Sequence, residues 1–462
     1  MYAQLKKEGV QVFLNAAGLE HASIGICVKD ISGKETISYN ADKLYTPASI
    51  LKVVTTATAI EILGAEYRYE TTLAKDRNQK NRLLIHGYGD PTLGTQYLDN
   101  VPNAFVSQWA DRIKQSFGST ENIDITVIDD YFGYEGISDR WIYQDMGNYY
   151  AAGSYGVSVY DNTYQLFFNT MRRDTCPIIV KTDPKMKLDF RNTMKLNTSG
   201  QDNGYIHGVP FSSDRLLTGD IPAGRTAFSI KGDIPNPGLY LGQVLAEQLS
   251  NVGYSIGEVE NTYDRYFKNM YLREKESFTE DVFYRHLSFP LKDIIKDTNF
   301  RSDNHFAEHL IRTIGRVEEP DIYSSSLDAG IDKTISFWKS KGLNTTALTI
   351  FDGSGLAPSN AVSPTFMCDL LMYMKTNSKY SQDFLESLPK AGFDGTVKNR
   401  LKDTRLAGKI SMKSGSIYGV QCFAGYYIDG NKTYAFTIMV NKFTGQRSQI
   451  VKAIDKLLLS IF

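Results

Sequence analysis

Val420-Gln-Cys-Phe-Ala-Gly-Tyr-Tyr-Ile428 and Thr433-Tyr-Ala-Phe-Thr-Ile-Met-Val440 flank Asp429-Gly430. Alternating apolar runs on either side of Asp-Gly predict a β-hairpin, because glycine supplies the positive φ that the tight turn needs. Residues 22–29 and 35–40 read the same way around Ser32-Gly33-Lys34. Beyond the late hairpin, Ile450, Val451, Ile454, Leu457, Leu458 and Ile461 recur at helical spacing, which predicts an amphipathic helix over 448–462 covering one sheet face. Both ends of the chain therefore build one sheet clad by helices, an α/β architecture. Its domain comprises residues 1–65 and 286–462, and 66–285 reads as an insertion. That insertion is rich in Gly, Asn, Asp and Tyr, with dense turn signals and strand-length segments at 125–128 and 176–181. It is expected to be β-rich, forming a second domain with a third nested at about 165–225.

The composition narrows the function classes. Hydrophobic residues make up 42% and charged residues 22% of 462, so the chain can bury large cores and is not broadly disordered. With 51 basic against 52 acidic residues and no long basic run, a nucleic-acid footprint is excluded. No stretch approaches the roughly 20 apolar residues that span a bilayer. The opening Met-Tyr-Ala-Gln-Leu-Lys-Lys has no apolar core of a secretory signal, which leaves a cytoplasmic protein or an exported one whose leader lies outside this sequence. Cys27, Cys176, Cys368 and Cys422 are scattered without a CxxC pair and are expected to be buried free thiols.

Upstream of the insertion, Thr46-Pro47 precedes an apolar run from Ile50 to Leu63 and a stopping Gly64. Threonine as cap and proline in the first turn predict a helix start there. Val53, Val54 and three threonines make the helix intrinsically poor, so burial must hold it. Ser49-Ile-Leu-Lys52 lies at its head, and the i, i+3 spacing puts hydroxyl and amine on one face, a turn apart. Serine needs a base, and a lysine sunk in apolar surroundings has its pKa lowered toward that use. The pattern alone is weak, since Ser336-Phe-Trp-Lys339 and Ser387-Leu-Pro-Lys390 match it too. Ser302-Asp303-Asn304 presents a hydroxyl and a carboxamide where another helix begins, able to relay a proton and hold a substrate amide; read blandly, it is a helix cap. Lys413-Ser414-Gly415-Ser416 lies on an apolar strand leading into the last hairpin. There a cation and hydroxyls can dock a carboxylate, and Gly415 would let a substrate backbone approach.

Together, and in this order, Ser49/Lys52, Ser302/Asn304 and Lys413-Ser-Gly resemble the motif set of the penicillin-binding enzymes. The chain resembles their low-molecular-mass class C members, the D-alanyl-D-alanine carboxypeptidase and endopeptidase family, over nearly its whole length. Gly89-Asp-Pro-Thr-Leu93, Asp352-Gly-Ser-Gly-Leu356, and Gly392-Phe-Asp-Gly-Thr396 with Arg400 are also similar to family runs. The resemblance implies a β-lactamase/transpeptidase-like sheet and a serine DD-peptidase of the cell envelope, acting on peptidoglycan stem peptides and acylated by β-lactams, with no cofactor or metal. It makes Ser49 the nucleophile, Lys52 its base, and Ser302 with Lys413 the path of the proton to the leaving amine. Asn304 would bind the substrate amide, Ser414 and Ser416 the terminal carboxylate, and the N–H groups of Ser49 and Ser416 would form the oxyanion hole. Asp145, in Trp141-Ile-Tyr-Gln-Asp-Met, resembles the acidic residue that meets the stem peptide's diamino acid. Two departures stand out. Ser414 and Ser416 replace frequent threonines, and Ala357-Pro358 occupies the place of a frequent arginine.

Two rival readings use the same residues. His305-Phe-Ala-Glu308-His309 fits an inverted zinc-peptidase motif with both imidazoles on one helical face. Alternatively, the fold could serve only to recognise peptidoglycan, without catalysis.

Overall fold

The computed structural model describes residues 2–118, 122–172, 176–268, 277–317 and 324–462. Five antiparallel strands form the sheet to which both chain ends contribute: β1 (Ser23–Asp30), β2 (Glu35–Tyr39), β3 (Ile410–Ile417), β4 (Val420–Asp429) and β5 (Lys432–Asn441), in the order β3-β4-β5-β1-β2. The two expected hairpins are β1–β2 and β4–β5, with Gly33 at φ 82° and Gly430 at φ 55° in their turns. The central pairing is β1 with β5, Ile26 opposite Ile438 and Val28 opposite Phe436.

Period-two alternation sorts β1 between two layers. Ile24, Ile26 and Val28 pack with Ile450, Ile454, Leu457, Leu458 and Ile461 of the expected terminal helix, which spans Arg447–Ile461. Cys27 points the other way, clustering with Cys368 of the helix Pro364–Thr376. Each fully buried aliphatic side chain is worth about 1.5–3 kcal/mol, so this helix is held chiefly by its apolar stripe. All four cysteines are free thiols; Cys27, Cys368 and Cys422 are buried, whereas Cys176 is exposed, against expectation.

The helix Leu51–Leu63 is buried along its first ten residues, Leu51 to Ile60. Its three early threonines, unfavourable by propensity, are all bonded. Thr56 and Thr58 donate to the carbonyls of Lys52 and Val54, four residues back, at 2.7 Å each, and Thr55 donates to Gly353 O at 2.6 Å. The Trp338 indole N–H completes the set by donating to Thr58 Oγ1 at 2.8 Å. Its start differs from expectation. Thr46 does not cap; a 3₁₀ turn over Ala48–Ile50 leads in, with Ala48 left-handed at φ 47°.

The chain divides into two units, one of residues 1–67, 290–315 and 327–462, the other of 68–289 and 316–326. In the second, strands run in the order Ser255–Asn261, Asn122–Ile128, Arg82–Gly87, Glu70–Asp76, Glu280–Leu287. Helices Ala104–Phe117 and Pro237–Asn251 bury Trp109, Leu241 and Leu245 in that sheet's core. A separate β core within the same unit gathers Tyr164, Leu166, Phe168, Ile206, Leu217 and Ile221. Among the described residues, no helix is long and apolar enough to cross a membrane.

Truncating Leu458, fully buried against the sheet, removes apolar contacts and leaves a cavity. Leu458→Ala is expected to destabilise the first unit by about 2–5 kcal/mol, read as a lowered midpoint in thermal or urea unfolding.

Candidate active site

The turn carrying Ser49 is pinned from the sheet rather than capped. Asn441, at the end of β5, accepts from the Thr46 N–H at 2.8 Å and donates Nδ2–H to Thr46 O at 3.0 Å. The Thr46 hydroxyl, free of any capping duty, donates to Pro358 O at 3.2 Å. Held this way, Ala48 keeps a left-handed backbone that costs a non-glycine residue about 1–2 kcal/mol.

Ser49 is half-buried, and the Lys52 ammonium lies 3.2 Å from its Oγ. Lys52 is wholly buried, and its Nζ also donates to Asn304 Oδ1 at 2.6 Å and Ser354 O at 2.7 Å. Burial pulls its pKa down to about 8, opposed by the negative charges of Asp352, Asp303 and Glu308. At pH 7 about one such amine in ten is neutral, against about one in three thousand for an ordinary lysine. A usable base therefore exists near neutrality.

The polar triplet sits between two helices. Ser302 closes Leu291–Arg301 with a left-handed backbone at φ 62°, and Asn304 opens Asn304–Arg316. Asp303 is the cap, accepting from the Phe306 N–H at 2.9 Å. On the edge strand β3, buried Lys413 donates to Ser302 Oγ at 2.8 Å and to Ser414 O at 2.6 Å. Burial, and then the charge of Lys52, hold its pKa well below that of an ordinary lysine. Ser302 and Lys413 are thus one hydrogen-bonded pair, and Ser49, Lys52 and Asn304 another group.

Gly415 has a packing use that its spacing did not reveal. A Cβ there would lie 2.6 Å from Pro47 O and 2.7 Å from Ile50 N. Its bareness admits the turn that carries Ser49, which packs directly on β3. Ser49, Ser302, Thr396, Arg400, Ser414 and Ser416 share a cleft of about 540 Å³. Ser414 is paired with Thr396, hydroxyl to hydroxyl, at 2.8 Å. Asp145 belongs to the second unit, where its Oδ1 accepts from the Tyr150 hydroxyl at 3.2 Å and burial raises its pKa.

Sequence reasoning gave no role to the segment 352–357 beyond its likeness to relatives. It supplies the Ser354 carbonyl to Lys52, and its shape is fixed by two carboxylates. Asp352 accepts from the N–H groups of Gly355 and Ala357 at 2.8 and 2.7 Å, and Glu308 Oε1 from those of Gly353 and Ser354 at 2.9 and 2.8 Å. Glu308 Oε2 pairs with the equally buried Arg312 at 2.7 Å. Both oxygens are therefore committed to the loop and the arginine, which removes the glutamate from the zinc-peptidase reading. His305 is buried with its pKa lowered to about 4, chiefly by desolvation. The signal that could have found this support is the double glycine of Asp352-Gly-Ser-Gly: Cβ atoms at Gly353 and Gly355 would collide with Ala307 O and Ala48 O.

A serine with a buried, pKa-lowered lysine, bonded to an asparagine and facing a Lys-Ser-Gly edge strand, matches what comparison with known proteins finds. Residues 6–460 match the D-Ala-D-Ala carboxypeptidase 3 (S13) family. The chain belongs to that family. Among similar proteins, the D-alanyl-D-alanine carboxypeptidase of Actinomadura is 26% identical over 95% of this chain and 81% of its own length. The crystal structure of penicillin binding protein 4 (dacB) from Haemophilus influenzae shares the fold, with a TM-score of 0.80 at 21% identity, covering 98% of both chains. The same protein complexed with a β-lactam gives 0.77 at 20% identity, covering 98% of this chain and 99% of that one. The fold of this S13 chain is therefore α/β and penicillin-binding-protein-like.

In an S13 enzyme built this way, Glu308→Gln removes the carboxylate charge paired with buried Arg312 and loosens the Ser354 carbonyl. Loss of one partner of a buried pair costs about 3–5 kcal/mol. Thermal melting should drop accordingly, and reaction at Ser49 should slow by about tenfold or more as Lys52 loses its anchor. Wild-type melting of E308Q would show that the pair supports nothing.

Proposed function

We propose that this chain works as a serine DD-peptidase through an acyl-enzyme on Ser49, with Lys52 as general base. It is a serine-type D-Ala-D-Ala carboxypeptidase of the penicillin-binding kind. The observation that carries the residue assignment is the 3.2 Å contact between Ser49 Oγ and a fully buried Lys52 whose pKa is about 8. Neutral Lys52 takes the Ser49 proton, and Oγ attacks the carbonyl of the penultimate D-alanine. Backbone N–H groups of Ser49 and Ser416 would face the oxyanion as the tetrahedral intermediate forms. As the C–N bond breaks, the proton taken up by Lys52 passes by way of Lys413 and Ser302 to the leaving nitrogen, so the proton that left the hydroxyl reaches the amine and Lys52 is neutral again. Water then cleaves the ester, Lys52 again acting as base.

Asn304 orients Lys52 and would bind the acyl-side amide, while Ser414 and Ser416 would hold the terminal carboxylate. For Asp145, the resemblance supports a role toward the ammonium of a diamino acid. The substrate places the working enzyme in the cell envelope, reached by export. β-Lactams, which mimic the D-Ala-D-Ala end, would acylate Ser49 and stay.

Intact-mass spectrometry after benzylpenicillin, with peptide mapping, tests the reading: an adduct on the peptide containing Ser49, absent in Ser49→Ala, is expected. An unmodified wild-type Ser49 would sink it and favour a recognition-only protein. Because the neutral amine is the active form, the acylation rate should climb with pH and level off above about 8, the Lys52 value. A rate independent of pH between 6 and 9 would remove Lys52 as base.

A further inference from the structure

Beyond Ser414 and Ser416 the same cleft runs beneath the start of the terminal helix, where Arg400, Gln421, Arg447 and Lys452 line it. Their charges are not equally balanced. Arg400 Nη1 lies 3.2 Å from Asp455 Oδ2 and is neutralised in place. Arg447 instead donates from Nε to the uncharged Gln421 Oε1 at 2.8 Å, and Gln421 Nε2 donates onward to Gly415 O at 3.2 Å. The guanidinium is thereby fixed to the strand that carries the carboxylate-docking serines. Lys452, exposed and five residues further along the helix, has no carboxylate paired with it among the described residues, and neither has Arg447.

This part of the cleft thus presents two uncompensated cations together with the hydroxyls of Thr396, Ser414 and Ser416, and the positive end of a 15-residue helix adds to the field. A lone leaving D-alanine brings one carboxylate, and the hydroxyls already serve it. Through Gln421 the Arg447 guanidinium is tied to Gly415, between Ser414 and Ser416, so the surplus charge adjoins the hydroxyls that would hold the leaving group's carboxylate. We propose that Arg447 and Lys452 form a leaving-group subsite for a second carboxylate, favouring D-amino acids or peptides that carry an acid group beyond the one next to the scissile amine. The inference rests on the acyl-enzyme reading and deepens it by naming the leaving-group chemistry.

Acceptor competition tests it, because an amine that captures the acyl group occupies the subsite its leaving counterpart would use. The acceptor nitrogen attacks the Ser49 ester, the C–N bond forms, the bond to Oγ breaks, and the amine proton returns to Oγ. With a thioester acyl donor, the products of transfer to D-alanine and to D-glutamate at equal concentration are compared by mass spectrometry. The D-glutamate to D-alanine ratio should exceed one in the native enzyme. It should fall by about fivefold to tenfold in Lys452→Gln and in Arg447→Gln, and drop below one in Lys452→Glu. A native ratio at or below one, or a ratio unmoved by all three variants, overturns the proposal. Absence of any acyl-enzyme in the native protein would overturn the underlying reading as well, whereas a normal benzylpenicillin adduct with an unmoved ratio would sink the subsite alone.

Discussion

Everything at the site depends on one buried ammonium. Removing a lysine from water is costly unless other groups take over its solvation, and three oxygens around Lys52 Nζ do so: a hydroxyl, a carboxamide and a backbone carbonyl. Each comes from a different segment. Satisfying that ammonium therefore fixes where the Ser49 turn, the triplet and the 352–357 loop must be. The carboxylates of Asp352, Asp303 and Glu308 lie close enough to oppose the desolvation, and the balance leaves the amine able to shed its proton near neutral pH.

The arrangement separates charge from contact. None of the hydrogen bonds to Lys52 Nζ described above comes from a carboxylate; Glu308 and Asp352 instead accept from backbone N–H groups of the loop and act on the lysine at a distance. A direct ion pair would hold the proton on the amine. Lys413, whose pKa is lowered partly by the charge of Lys52, is a second buried amine beside it, and a proton on Lys52 opposes protonation of Lys413.

Much of the fold could be read from the residues because its signals are local. Alternation in 420–440 and 22–40, turn glycines at 33 and 430, and the helical spacing of 450–461 each encode their element within a few residues. The three motifs were legible as residue types in order. What stayed hidden depends on partners distant in sequence. Thr46 fails as a cap because Asn441, nearly four hundred positions away, holds its backbone. Gly415 serves the Ser49 turn, and Glu308, which fits a zinc motif by spacing, is committed to a loop it approaches only in three dimensions. Spacing along one helix carries no record of such pairings. The link from Arg447 to Gln421, twenty-six residues earlier, is likewise a pairing that local spacing does not show.

The pairing of β1 with β5 bears on biosynthesis. Residues 23–30 leave the ribosome early but find their neighbours only once residues 432–441 have followed. The intervening unit of residues 68–289 has its own cores and can condense while the first strands wait. Until then Thr46 lacks Asn441, and the Ser49 hydroxyl has no formed cleft around it.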